Sequence, residues 1–99
     1  MEDKGHTEEL SQSLASYFTL PDGEIAYEVL LQRLTDEIQY LIDFDLDKLW
    51  SVLYRIDVSE QKVKDVLATT PFAQHAQGIA QLIIERQQQK IITRKKYKK

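Results

Sequence analysis

The sequence predicts an all-α fold: a small up-down-up helical bundle made of a long helix, an interrupted middle rod of two short helices, and a long C-terminal helix. Three observations support this prediction. Apolar residues recur three and four positions apart through residues 24–43, 46–68 and 71–93, which is the spacing of one helical face. Capping residues stand where these segments begin. The links between segments are short, which favours antiparallel neighbours.

The first long helix is predicted over residues 24–43, after a turn at Leu20-Pro21-Asp22-Gly23. Pro21 ends the preceding segment, and Asp22 is placed to cap the helix that follows. The predicted inner face carries Tyr27, Leu31, Leu34, Ile38 and Leu41, widened by Leu30 and Ile42.

The middle rod is predicted to break at residues 57–59. Asp45 is a candidate N-cap for a helix that begins at Leu46, and Ser59 is a candidate N-cap for one that begins at Glu60. Val58 and Val63 have the spacing of a hydrophobic staple around that second start. Because the joint is short, we expect both pieces to act as one rod. The side chains assigned to the core here are Phe44, Leu46, Leu49, Leu53, Ile56, Val63, Val66 and Leu67.

The last helix is predicted to open at Thr70-Pro71, as an N-cap followed by a proline at the first helical position. Its predicted inner face carries Phe72, Ala76, Ile79, Ala80, Ile83 and Ile84. Gly78 lies in the interior of this helix, where glycine costs about 1 kcal/mol relative to alanine. Ala76, Gly78 and Ala80 are small enough to allow the close approach of a neighbouring helix, and packing or function should offset the cost of Gly78.

The chain is predicted to divide into an N-terminal arm at 1–22, a bundle at 23–93 and a basic tail at 94–99. The arm has a weak helical pattern in Leu10, Leu14, Tyr17 and Phe18. Because chain termini are often poorly ordered, the arm is expected to be either a short, loosely docked helix or disordered.

Two segments carry a resemblance to known sequences. The run from Leu53 to Glu60 (LYRIDVSE), with LIIERQ at residues 82–87 and Lys90-Ile91 after it, resembles a family of short, uncharacterised, all-helical bacterial proteins. The likeness covers residues 25–96. It implies a cytosolic helical domain and brings no activity, ligand or catalytic residue with it.

Composition narrows the class of protein. The 99 residues contain no cysteine, which removes disulfides and thiolate metal sites and suits a reducing compartment. The N-terminal residues are acidic and polar rather than signal-like, and no apolar run reaches the length of a membrane span. We expect a cytoplasmic protein that does not bind membranes.

No residue pattern predicts catalysis, a cofactor or a metal. Asp43, Asp45 and Asp47 match the first ligands of a calcium loop, but Lys48 and Tyr54 stand where that motif needs glycine and glutamate. Capping at a tight turn explains these aspartates better. His75 has no acid at ligand spacing, and it is interpreted as a surface or rim residue. The prediction is therefore a protein that is not an enzyme.

Charge is distributed unevenly along the chain. Residues 1–60 hold 14 acids against 4 bases, giving −10, whereas residues 61–99 hold 2 acids against 9 bases, giving +7. The candidate interaction residues of the basic end are Arg86, Lys90, Arg94, Lys95, Lys96 and Lys98. Three interpretations compete: a solvated tail, an internal or intermolecular contact with acids, and binding of nucleic acid or phosphate. The internal contact would involve Asp43, Asp45 and Asp47, which parallel first and third rods bring near.

Trp50 and Tyr54 are the remaining candidate interaction residues. They lie at the edge of the Leu46 stripe, where aromatic side chains either complete the core or anchor an interface. Nearby, Arg55 and Asp57 are expected to form a local ion pair.

The function predicted from these observations is a non-catalytic helical module for protein interaction or self-association, with an unknown protein or a second copy as partner. The alternative is a nucleic-acid-binding accessory protein that uses the basic C-terminal helix. The short helices at 46–56 and 60–68 add a helix-turn-helix reading to that alternative, although the exposed start of the second helix is nearly neutral.

Overall fold

The computed structural model describes residues 7–18, 20 and 26–97, and the side chains within 9–18, 20 and 26–94. Over these residues the chain forms α-helices and no strand. The helices are α1 (Thr7–Leu14), α2 (Tyr27–Phe44), α3 (Leu46–Ile56), α4 (Glu60–Thr69) and α5 (His75–Tyr97), with a 3₁₀ turn at Phe72–Gln74. The all-α class and the small bundle predicted from the sequence are confirmed.

Both predicted caps of the middle segment are present. The Asp45 carboxylate accepts a hydrogen bond from the backbone N–H of Lys48 at 3.2 Å, and the Ser59 hydroxyl accepts one from the N–H of Lys62 at 3.4 Å. Each bond satisfies a donor that the first turn of a helix leaves without an intrahelical partner. Helices α3 and α4 therefore begin at the residues that the sequence indicated.

The joint between α3 and α4 reverses the chain. Asp57 has a φ of 70°, in the left-handed region. The N–H of Asp57 donates to the Tyr54 carbonyl at 3.1 Å, and the N–H of Val58 donates to the Leu53 carbonyl at 3.0 Å. This pair of bonds is the Schellman ending of a helix, which turns the backbone away from the helix axis.

Helices α3 and α4 consequently fold back on each other instead of forming one interrupted rod. End to end, these helices of 11 and 10 residues would place Leu46 and Leu67 about 30 Å apart. Both residues line the same groove, so the two helices diverge from the Asp57 joint and face each other across it. The break was predicted from the sequence, but the reversal of direction was not.

Helix α5 is the centre of the bundle. It contacts each of the other helices, most extensively α2. Ile42, near the end of α2, lines the same groove as Ile79, near the start of α5, so α2 and α5 are antiparallel. The first and last long helices were expected to be parallel; the extra reversal at Asp57 changes the direction of everything after it.

The N-terminal segment packs against the bundle. Helix α1 contacts α5 and α2, and Leu10, Leu14 and Phe18 are buried in the shared core. Fully burying a leucine stabilises a fold by about 1.5–3 kcal/mol, so this helix is docked more firmly than its weak pattern indicated. The predicted boundaries of arm, bundle and tail stay a prediction.

The last helix begins later than predicted. The Thr70 hydroxyl donates to the Val66 carbonyl at 2.7 Å, so Thr70 closes the end of α4 and does not cap α5. Pro71 leads into the 3₁₀ turn, and α5 starts at His75. Phe72, predicted to be buried, is exposed on this turn. Helix α5 then continues to Tyr97, through residues assigned to the tail.

The core runs along α5, where Ala76, Ile79, Ala80, Ile83 and Ile84 are buried as predicted. Gly78 has the expected role: a Cβ at this position would lie 2.6 Å from Val66 Cγ1. The missing side chain therefore allows α4 to approach α5 closely. In the part of the chain that the structure describes, no helix has an apolar stretch sufficient to cross a bilayer.

Candidate functional site: an apolar groove between α3 and α4

An apolar groove opens between the diverging helices α3 and α4. Its volume is about 280 Å³. The floor consists of buried side chains, which are Leu49, Leu53, Val63 and Ile79. The remaining lining residues are Ile42, Leu46, Trp50, Leu67, Phe72 and His75. We refer to this set of ten residues as the apolar groove.

Four large apolar side chains form the rim of the groove and remain exposed to solvent. The exposed fractions are 50% for Leu46, 36% for Trp50, 40% for Leu67 and 68% for Phe72. Single exposed apolar residues are ordinary, but a cluster of large ones around a concavity is typical of binding sites. Leu46, Leu67 and Phe72 had each been assigned to the core, and for them that prediction is wrong.

The two walls of the groove, α3 and α4, are joined at one end and diverge towards the other. At the closed end, the Schellman turn at Asp57 joins α3 to α4. At the open end, Leu46 starts α3 and Leu67 lies near the end of α4, and no described element covers the space between them. Both walls contact α5, and their Leu53 and Val63 side chains are buried in the shared core.

His75 is the one polar side chain in the groove. Its Nε2 lies 3.1 Å from the Thr70 carbonyl oxygen and donates to it, and its ring meets the edge of Phe72 at a centroid distance of 5.4 Å. His75 therefore has the rim position that the sequence indicated. These contacts fix Phe72 and the 3₁₀ turn at the mouth of the groove.

Trp50 and Tyr54 have different surroundings. Trp50 forms part of the groove wall, so it contributes to an exposed apolar surface and does not complete the core. Tyr54 is 86% exposed and does not line the groove. The Phe44 side chain, also predicted to be buried, is exposed and stacks at a tilt on Tyr40, with ring centroids 5.0 Å apart.

The basic candidates are not equivalent. Arg86, Lys90 and Arg94, together with Thr93, line a wide, shallow hollow of about 290 Å³. Arg86 is already engaged: its guanidinium pairs with the Asp57 carboxylate at 3.1 Å. Asp57 thus pairs with Arg86, whereas the sequence predicted an ion pair with Arg55.

The last lysines of the basic segment lie wholly or partly outside the described residues. Lys95 and Lys96 belong to α5, but their side chains are not among the described ones. Lys98 lies outside the described residues. The candidate interactions of these three lysines stay a prediction.

The acids expected to meet this basic end lie elsewhere. Asp43, Asp45 and Asp47 surround the joint between α2 and α3, beside the groove residues Ile42 and Leu46. Residues 90–97 lie roughly 16 to 27 Å beyond Ile79 along α5, at about 1.5 Å per residue. Because α2 and α5 are antiparallel, the internal contact predicted between this basic end and these acids is wrong, whereas a contact with acids of another protein stays a prediction.

Asp43 accepts a bond from Gln39 Nε2 at 3.1 Å, and Asp45 caps α3. No group of three or more potential metal ligands occurs among the residues that the structure describes.

Sequence reasoning missed the groove as a site. No local signal marked it, because the sequence shows which face of a helix is apolar and does not show whether a neighbouring helix covers that face. A comparison with models of known protein families finds no match, and comparisons with curated proteins and with solved structures also find none.

Proposed function

We propose that this protein is a non-catalytic helical module that binds another protein, or a second copy of itself, through the apolar groove. The observation that carries the proposal is the ring of exposed Leu46, Trp50, Leu67 and Phe72 around a concave apolar floor. Burying apolar surface gains about 25 cal/mol per Å². Tryptophan is among the residues that contribute most to measured binding energies at protein interfaces, and Trp50 forms part of this rim.

The lining chemistry supports binding over catalysis. Nine of the ten groove residues are apolar, and the polar one, His75, is held by the Thr70 carbonyl. Acid-base or nucleophilic chemistry needs groups that meet at one reacting atom, and this lining offers no second polar group. A cytoplasmic location is part of the proposal, since a chain without cysteine makes no use of an oxidising compartment.

The experiment that tests the proposal is affinity capture from cells with mass-spectrometric identification, using a groove variant beside the wild type. In the variant Leu67→Gln/Phe72→Gln both changes fall on exposed side chains, so we expect the fold to be retained. The matched control is Tyr40→Gln/Ile92→Gln, since both residues are exposed and neither lines the groove. Circular dichroism and thermal melts would verify folding of all three proteins.

Partners that the wild type and the control retain and the groove variant loses would support the proposal. Sedimentation velocity on the same three proteins covers the case in which the partner is a second copy. The proposal fails if the groove variant captures the same proteins and sediments as the wild type does at every concentration.

A second candidate function is binding of nucleic acid, and one observation favours it: Arg86, Lys90, Thr93 and Arg94 share one hollow. Lysine and arginine that neutralise phosphates release counterions, so such binding weakens steeply as salt rises. The test is a titration of labelled duplex and single-stranded DNA and RNA at about 50 mM salt, with Lys90→Gln/Arg94→Gln as the variant. Absence of binding at low salt would eliminate this function.

A further inference from the structure

Resting on the proposed function, we propose that the occupant of the apolar groove is one amphipathic helix of a partner protein, with apolar residues along one face and lysine or arginine beside them. This names the chemistry of the partner that the groove accepts. Three observations lead to it: the apolar lining, the small exposed area and the carboxylates beside the mouth.

The lining requires a ligand whose backbone makes its own hydrogen bonds. The floor side chains Leu49, Leu53, Val63 and Ile79 offer no donor or acceptor, so an extended peptide would lose hydrogen bonds to water without replacement. A helix satisfies its backbone internally and presents apolar side chains at i, i+4 and i+7. Such a row spans about 10 Å, the length of two helical turns.

The exposed area argues against a second copy as the occupant. The four rim side chains expose on the order of 400 Å², by analogy with the areas that large side chains bury. Two copies meeting through these rims would bury roughly 800 Å² in total, below the approximately 1,000 Å² of a stable interface. A globular surface also reaches only the rim, whereas side chains of a single helix enter the hollow and contact its floor.

The chain's own basic helix is a poor occupant as well. Between Arg86 and Arg94, Ile91 and Gln87 are buried, which leaves Ile92 as the exposed apolar side chain of that stretch. One anchor does not fill a groove with two walls and a floor. This segment therefore lacks the row of apolar residues that the groove requires.

The acidic residues beside the groove favour a partner helix that carries basic residues next to its apolar face. Three aspartates lie next to the groove residues Ile42 and Leu46 in the sequence: Asp43, Asp45 and Asp47. Lys48 is the one base between residues 43 and 48. Among the described side chains, none of these three carboxylates forms an ion pair with a cation. Charges within about 10 Å interact appreciably at moderate salt, so a basic flank is attracted here and an acidic one is repelled.

The chain contains a built-in reporter for the test, because Trp50 is its single tryptophan and lines the groove. The probes are two hydrocarbon-stapled helical peptides of about 15 residues with the same row of leucines. One carries lysine beside the leucines and the other glutamate. Trp50 emission and the anisotropy of a dye on each peptide measure the two dissociation constants.

We expect the lysine peptide to shift Trp50 emission to shorter wavelength and to bind at least about tenfold more tightly than the glutamate peptide at about 50 mM salt. The difference should shrink towards none at about 1 M salt. The variant Asp43→Asn/Asp45→Asn/Asp47→Asn should lose most of this preference, with asparagine at position 45 retaining the cap. The control Glu28→Gln/Asp36→Asn/Glu37→Gln removes the same charge elsewhere on α2 and should keep the preference.

Equal binding of the two peptides, tighter binding of the glutamate peptide, or no binding of the lysine peptide would each overturn this inference. Lysine-peptide binding that persists in Leu67→Gln/Phe72→Gln would also overturn it, because the site would then be elsewhere. These outcomes differ from failure of the proposed function. That failure is an unchanged set of captured proteins and unchanged sedimentation when the groove is altered.

Discussion

Arg86 is bonded twice to Asp57, a residue 29 positions earlier in the chain. Its Nε donates to the Asp57 backbone carbonyl at 3.0 Å, and a terminal nitrogen donates to the Asp57 carboxylate at 3.1 Å. Among the described residues other than glycine, Asp57 alone has a positive φ. Arg86 therefore bonds the left-handed joint to α5. The contact ties the closed end of the groove, where α3 meets α4, to α5.

Replacing Arg86 should destabilise the fold modestly. Arg86→Lys keeps the charge but loses the planar guanidinium that donates to both acceptors on Asp57. Arg86→Gln removes the charge as well. We expect a loss of about 0.5–1.5 kcal/mol in the free energy of unfolding for either change. Urea denaturation would measure it, with Arg55→Gln as the control, because Arg55 is exposed and forms no ion pair among the described side chains. Equal losses for Arg55 and Arg86 would contradict the assignment.

Substitutions at Asp57 should follow the cost of a left-handed backbone. Glycine adopts a positive φ without strain and asparagine tolerates it, whereas alanine does not. We therefore expect Asp57→Ala to cost about 1–2 kcal/mol, and Asp57→Gly or Asp57→Asn to cost less. Thermal melts of the three variants would rank them. An alanine variant as stable as the glycine variant would argue against the left-handed turn.

Gly78 should resist replacement by alanine although it lies in a helix. Alanine would gain about 1 kcal/mol in helix propensity, but its Cβ would lie 2.6 Å from Val66 Cγ1. Overpacking typically costs about 1–3 kcal/mol, so we expect Gly78→Ala to be neutral to destabilising. The double variant Val66→Ala/Gly78→Ala removes the clash and should be more stable than Gly78→Ala alone. If Gly78→Ala is stabilising by itself, α4 and α5 are not in close contact there.

Leu10 provides a test of whether α1 belongs to the core. Its side chain is fully buried, and truncating a buried leucine to alanine costs about 2–5 kcal/mol. We expect a loss in this range for Leu10→Ala, measured by chemical denaturation. Gln12→Ala, at an exposed position of the same helix, should change the free energy of unfolding by less than about 0.5 kcal/mol. A similarly small effect at Leu10 would mean that α1 is only loosely attached.

Prediction succeeded where the signal was local. The caps at Asp45 and Ser59 depend on residues three positions apart, and the inner face of α5 depends on a helical repeat; both were read from the sequence. The assignments of Leu46, Leu67 and Phe72 to the core failed for a different reason. A stripe of apolar residues shows which face of a helix favours burial, but it does not show whether a neighbouring helix covers the whole face.

The sequence by itself determined that this chain is helical, where its middle helices begin, and that small residues in the last helix allow a neighbouring helix to approach closely. These properties follow from backbone sterics and contacts within a few residues. Only the tertiary structure decided that α3 and α4 fold back on each other, that α2 and α5 are antiparallel, and that Arg86 contacts Asp57. A left-handed residue at one joint changes the direction of all that follows, and the faces that then meet are set by contacts between residues far apart in the chain, such as Arg86 and Asp57.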